Sequence, residues 1–104
     1  MKILLAEDEV SIAITLGDAL EEAGHEIFLA RDTDEALAIL EREEPKLVIT
    51  DVRMPGAGGE AVLKRSLELD SQRPVIVMAG FATVDKAVEA MRLGAVDYLQ
   101  KPFR

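Results

Sequence analysis

A chain of 104 residues with a formal net charge of −8 is long enough for one modest domain, and too acidic to grip nucleic acid or an anionic membrane by itself, since both require basic patches. It has no cysteine, which excludes disulfides, thiolate chemistry and cysteine-ligated zinc, and its one histidine, His25, cannot build a histidine metal site. No run approaches the length of a membrane span, and Met1-Lys2 followed by four apolar residues and then acids is too short for a signal peptide, so the cytosol is the expected compartment.

Lys2-Ile3-Leu4-Leu5-Ala6 is a short apolar run and reads as a first strand, stopped by Glu7-Asp8-Glu9. From Val10 to Ala23 apolar residues recur at helical spacing (Ile12, Leu16, Ala19, Leu20, Ala23), and Gly24 is the stop signal. Glu26 to Ala30 reads as a second strand. Thr33 or Asp34 can start a second helix with Ala36, Leu37, Ile39 and Leu40 on its inner face, closed by Pro45. Leu47 to Thr50 is the third strand, Gly56 to Gly59 a loop, and Glu60 to Leu69 a third helix. Val75 to Ala79, after Pro74, is the fourth strand. Thr83 can cap a fourth helix on which Val84, Ala87, Val88 and Met91 repeat at helical spacing, with Gly94 ending it. Val96 to Leu99 is the fifth strand.

Strand and helix therefore alternate, and short apolar strands without strict alternation suggest a parallel sheet buried on both faces. With right-handed crossovers the expected fold is α/β, a doubly wound five-stranded parallel sheet of flavodoxin-like strand order 2-1-3-4-5. A fifth helix that would cover the last strand is absent from the 104 residues, so apolar surface near strand five is expected to be exposed unless something covers it.

The chemistry concentrates at Asp51, the acid that ends the apolar run Leu47-Val48-Ile49-Thr50 before the turn Met54-Pro55-Gly56. At the carboxyl end of a buried strand it stands where open α/β sheets carry their reactive groups. If the first and third strands are central neighbours, Glu7 and Asp8 come beside it. Crowded carboxylates repel one another, and a hard divalent cation, Mg2+, relieves the repulsion. Such a metal can clamp phosphoryl oxygens while Asp51 attacks as a nucleophile. Lys101, after the fifth strand, stands at the same rim and can pair with phosphoryl charge. The following Pro102 allows a cis peptide that would aim it inward. Glu9 reads as a solvated acid and His25 as a surface residue. Met54, Met78 and Met91 read as packing residues, and Gly56, Gly58 and Gly59 as turn formers, not a phosphate cradle.

Leu5-Ala6-Glu7-Asp8-Glu9, Asp51-Val52-Arg53-Met54-Pro55-Gly56 and Gly94-Ala95-Val96-Asp97-Tyr98-Leu99-Gln100-Lys101-Pro102-Phe103 resemble the receiver domain of bacterial two-component response regulators. With Phe81-Ala82-Thr83-Val84 added, the chain looks most like the receivers of enhancer-binding transcription activators. The resemblance implies that Asp51 is the phosphoacceptor, taking phosphate from a sensor histidine kinase or phosphotransfer domain. It implies that Asp8 and Asp51 ligate Mg2+ directly with the backbone carbonyl of Arg53, that Glu7 acts through water, that Lys101 contacts the phosphoryl group, and that Tyr98 is an aromatic switch. Arg53 and Phe81 fall where the family tunes phosphate loss. The whole chain, residues 1–104, reads as one such domain, a switch and not a conventional enzyme, signalling through the helix 4/strand 5 surface to an effector or a dimer.

Two departures stand out. Ala79 occupies the place of the family's switch Thr or Ser, and Thr83, expected on the next helix, is a poor substitute. A missing hydrogen bond to a charged oxygen is worth roughly 1.5–3 kcal/mol, so phosphorylation is expected to survive while coupling to Tyr98 weakens. The absent fifth helix is read as truncation, with self-association into a homodimer. Ala79 also keeps open an interaction module whose output does not depend on phosphorylation. A magnesium phosphatase or phosphotransferase ranks last, because Arg53 stands where a second acid would be needed.

Overall fold

Five strands and four helices alternate along the chain in a computed structural model that describes residues 1–101. They are β1 (Lys2–Ala6), α1 (Val10–Glu22), β2 (Glu26–Ala30), α2 (Thr33–Glu43), β3 (Leu47–Asp51), α3 (Gly59–Leu69), β4 (Val75–Ala79), α4 (Val84–Arg92) and β5 (Asp97–Gln100), with a single 3-10 turn, Phe81–Thr83, leading into α4. All neighbouring strands pair in parallel, in the order β2-β1-β3-β4-β5, as the sequence predicts. The expectations for Pro102, Phe103 and the Phe81 side chain lie outside the described residues.

Strand alternation divides the core. Leu4, Ala6, Val48, Val75, Val77 and Ala79 face α2, α3 and α4, while Ile3, Leu5, Ile49 and Met78 face α1, packed by Leu16, Leu20 and Ile27. Each fully buried branched side chain stabilises the fold by about 1.5–3 kcal/mol, which is what holds a sheet of five-residue strands together. α2 starts where expected, with Asp32 as its cap: the side chain accepts from Glu35 N at 2.8 Å. It ends at Glu44 in the left-handed region (φ 48°), and Pro45 prevents continuation.

Two helix faces differ from expectation. On α1 the buried positions are Ala13 and Gly17, whereas Ala19 and Ala23 are exposed. On α4 they are Ala87 and Ala90, while Val88 and Met91 point outward. In both cases the smallest residues sit against the sheet, because they let the helix backbone approach closely. Met91 is therefore a surface residue, not a packing one. Thr83 does not cap α4 with its side chain. Near β5, Val96 and Leu99 are exposed, in line with the apolar surface expected there.

Candidate functional site

Register brings the acids together. Ala6 pairs with Thr50, so the next residues, Glu7 and Asp51, emerge side by side at the carboxyl edge of the sheet. One carboxylate oxygen from each of Glu7, Asp8 and Asp51 lies within 4.8 Å of the other two. Ala79 pairs with Gln100, and the Lys101 N–H donates to the Ala79 carbonyl at 2.8 Å, which fixes the lysine at the same rim. Its Nζ donates to Asp51 Oδ2 at 2.6 Å and stands 2.5 Å from Glu7 Oε1. The Arg53 N–H donates to Asp51 Oδ1 at 3.1 Å, so both oxygens of the proposed acceptor are held.

The three acids have unequal surroundings. Glu7 is buried at 2% exposure, Asp51 is buried at 6%, and Asp8 is exposed. Burial pushes the Glu7 carboxyl up to about 6, with the nearby Asp51 charge adding to it; Lys101 and the Glu9 N–H, which donates to Glu7 Oε2 at 3.0 Å, oppose the rise. Burial alone would lower the Lys101 pKa, but the Asp51 and Glu7 carboxylates outweigh it and hold the ammonium above its ordinary value. Glu7 Oε1, although ion-paired, makes no hydrogen bond of good geometry. One lysine against three carboxylates leaves excess negative charge, and a buried carboxylate oxygen is under-satisfied. That donor set of hard oxygens fits a hard divalent cation.

The loop after Asp51 is clamped from α2. Thr33, buried at the start of that helix, donates its N–H to Pro55 O at 3.0 Å, and its Oγ1 donates to Gly58 O at 3.2 Å. Gly59 opens α3 against the Asp51 backbone so closely that a Cβ there would fall 2.0 Å from the Asp51 carbonyl oxygen. Neither Thr33 nor Gly59 was singled out by sequence reasoning for this role; the only signal was a threonine at a helix start and a run of loop glycines.

Beside these residues opens a cleft of about 760 Å³, lined by Asp8, Asp51, Arg53, Thr83, Lys86 and Lys101 among others. Every acid and cation that the sequence assigns to the site therefore converges. Arg53 is exposed at the rim. Ala79 is fully buried and brings no polar side-chain atom. Tyr98 is half-buried, opposite Val77 in β4, and packs on the core beneath α4. Glu9 is exposed, as read from the sequence, and His25 lies beside the N-terminal amine, 3.2 Å from its Nδ1.

A family model described as the response regulator receiver domain matches residues 3–104. The chain is 44% identical over 102 residues to the response regulator protein FleR of Pseudomonas aeruginosa, covering 98% of this chain and 22% of FleR. It is 35% identical over 102 residues to sporulation initiation phosphotransferase F of Bacillus subtilis, covering 98% of this chain and 82% of that protein. Among solved structures, the receiver domain of NtrX from Brucella abortus superposes with a TM-score of 0.91 at 36% identity, covering 98% of this chain and 87% of that one. The chain thus spans about a fifth of FleR and most of the shorter relatives.

Proposed function

The chain belongs to the response regulator receiver domain family, and from that premise we propose that it is a phosphoryl-accepting switch. The observation that carries the reading is the convergence of Glu7, Asp8, Asp51 and Lys101 on one rim. A docking surface alone has no use for a nucleophile, two further acids and a cation held within hydrogen-bond reach.

The donor is a phosphohistidine of a sensor kinase or phosphotransfer domain. An Asp51 oxygen attacks phosphorus in line with the P–N bond. The new O–P bond forms as the P–N pair returns to the imidazole nitrogen, which takes a proton from solvent. Lys101 holds Asp51 Oδ2 at 2.6 Å before transfer and can follow the negative charge onto a phosphoryl oxygen afterwards. Asp8, Asp51 and the Arg53 carbonyl would hold Mg2+, with Glu7 acting through water, and the ion would neutralise charge on the phosphoryl oxygens. Arg53 keeps Asp51 Oδ1 oriented through its N–H. The output surface is α4 and β5, where Val88, Met91, Val96 and Leu99 are exposed and available to an effector or a second copy. No described helix is long and apolar enough to cross a membrane. From its family we infer that the domain works in the cytosol.

The buried Ala79 favours one second reading, a receiver-like interaction module that signals without phosphate. Intact mass before and after a small phosphodonor with Mg2+ separates the two. The parent is expected to gain one phosphate and Asp51→Asn none. No gain by the parent leaves the module.

Mg2+ affinity is expected to fall as pH drops through about 6, because Glu7 then takes up a proton that the cation must displace. In the metal-free protein the sign is set by the same shift. A carboxyl at 4.5 unfolded and about 6 folded contributes stability that is present below pH 4.5 and lost as pH rises through about 6. Calorimetric titration at pH 5 and 7.5 checks the first statement; equal affinities would remove Glu7 from the binding set.

A further inference from the structure

A phosphoryl group on Asp51 brings three anionic oxygens into the cleft, and the position expected to offer a hydroxyl, Ala79, offers none. Among the described residues lining the cleft, Thr83 carries the one side-chain hydroxyl. It lies in the 3-10 turn before α4 and not on the helix, and it is buried at 5% exposure. Its Oγ1 donates to Gly80 O at 3.2 Å, long for an O–H···O bond, which is commonly near 2.8 Å. The Gly80 carbonyl also accepts the Thr83 N–H at 3.0 Å, so it keeps a donor if the hydroxyl turns away. A Cβ built on Gly80 would meet nothing within 4 Å, so the space beside the turn is open.

We propose that Thr83 Oγ1 leaves Gly80 O and donates to a phosphoryl oxygen on Asp51, supplying from the start of α4 the hydrogen bond that Ala79 cannot make. The assignment rests on the acceptor reading above. It ties occupancy of Asp51 to the first turn of α4, whose outer face carries Val88 and Met91. A hydroxyl donating to a charged oxygen is strong enough to matter, and the bond it gives up is a weak, shared one.

The test is binding of beryllofluoride, a phosphoryl mimic, in the presence of Mg2+. Thr83→Val should weaken binding about 10-fold or more, Thr83→Ser should stay close to the parent, and Ala79→Thr added to Thr83→Val should restore it. Mg2+ affinity without beryllofluoride should not change in any of them, a readout that separates the hydroxyl from a merely structural role. In the parent, the Gly80, Thr83 and Val84 amide resonances should shift on beryllofluoride binding, which needs no variant to fold. Thr83→Val binding as well as the parent, or those amides staying still, overturns the proposal. A folded parent that takes up no beryllofluoride overturns the acceptor reading first, and this inference with it.

Discussion

Gly59→Ala is expected to be among the most damaging single-methyl additions in the chain. The added carbon would fall 2.0 Å from the Asp51 carbonyl oxygen and 2.9 Å from both the Asp51 carbonyl carbon and Val52 Cα. These are backbone atoms, so no side chain can rotate away, and α3 must withdraw from β3 or the β3 end must move. Overpacking a core costs typically 1–3 kcal/mol, and a contact with backbone belongs at or above the top of that range. For a domain of this length each kcal/mol lowers the melting temperature by roughly 4–8 °C, so a fall of more than 10 °C is expected. Cation binding should weaken as well, because the atoms displaced belong to Asp51, one of the three clustered acids. Gly80→Ala is the matched control: its Cβ has nothing within 4 Å, and its melting temperature should stay within a few degrees of the parent. A Gly59→Ala protein as stable as that control would show that α3 does not pack on β3 as described.

Lys101→Met is expected to destabilise the metal-free protein by about 3 kcal/mol, read as a shift of the urea midpoint in chelator. Methionine keeps most of the aliphatic stem and removes the charge. The lysine side chain is 14% exposed, and those of Glu7 and Asp51 are 0% and 9% exposed, so the pairs it makes are shielded from solvent. Without it the two carboxylates face each other with no cation, the arrangement that makes loss of one partner so costly. Saturating Mg2+ should close much of the gap between variant and parent, since it binds the folded state and supplies the missing positive charge. Acid should also close it, as Glu7 protonates. An unchanged urea midpoint would mean that the lysine is a spectator.

The carboxyl edge was legible in the sequence because it follows from strand order. Once alternating strands and helices imply a parallel sheet with β1 beside β3, the residues just past Ala6 and Thr50 have to meet, and the register bears this out. Lys101 was legible for the same reason. What periodicity could not find was close packing by small residues. It placed Val88 and Met91 inward together with Ala87; Ala87 does lie on the sheet, but its buried neighbour is Ala90, and these two small residues let α4 approach while Val88 and Met91 are exposed. Gly59 looked like one loop glycine among several, although its role is a backbone contact that no side-chain pattern encodes. The unequal burial of Glu7 and Asp8 was equally invisible, because adjacent acids at a strand end differ only in which way each points. Thr83 was expected on the next helix, as the nearest hydroxyl but a poor substitute; it lies instead in a 3-10 turn that forms part of the cleft wall.

A phosphoryl group on Asp51 can be trapped chemically. Borohydride reduces an acyl phosphate to the alcohol, so after treatment with a small phosphodonor and Mg2+ the reduced residue can be located by peptide mass mapping. Homoserine is expected at position 51, dependent on Mg2+ and absent from Asp51→Asn. Homoserine at another acid of the rim, or at no residue while the protein remains folded, would contradict Asp51 as the phosphoryl carrier.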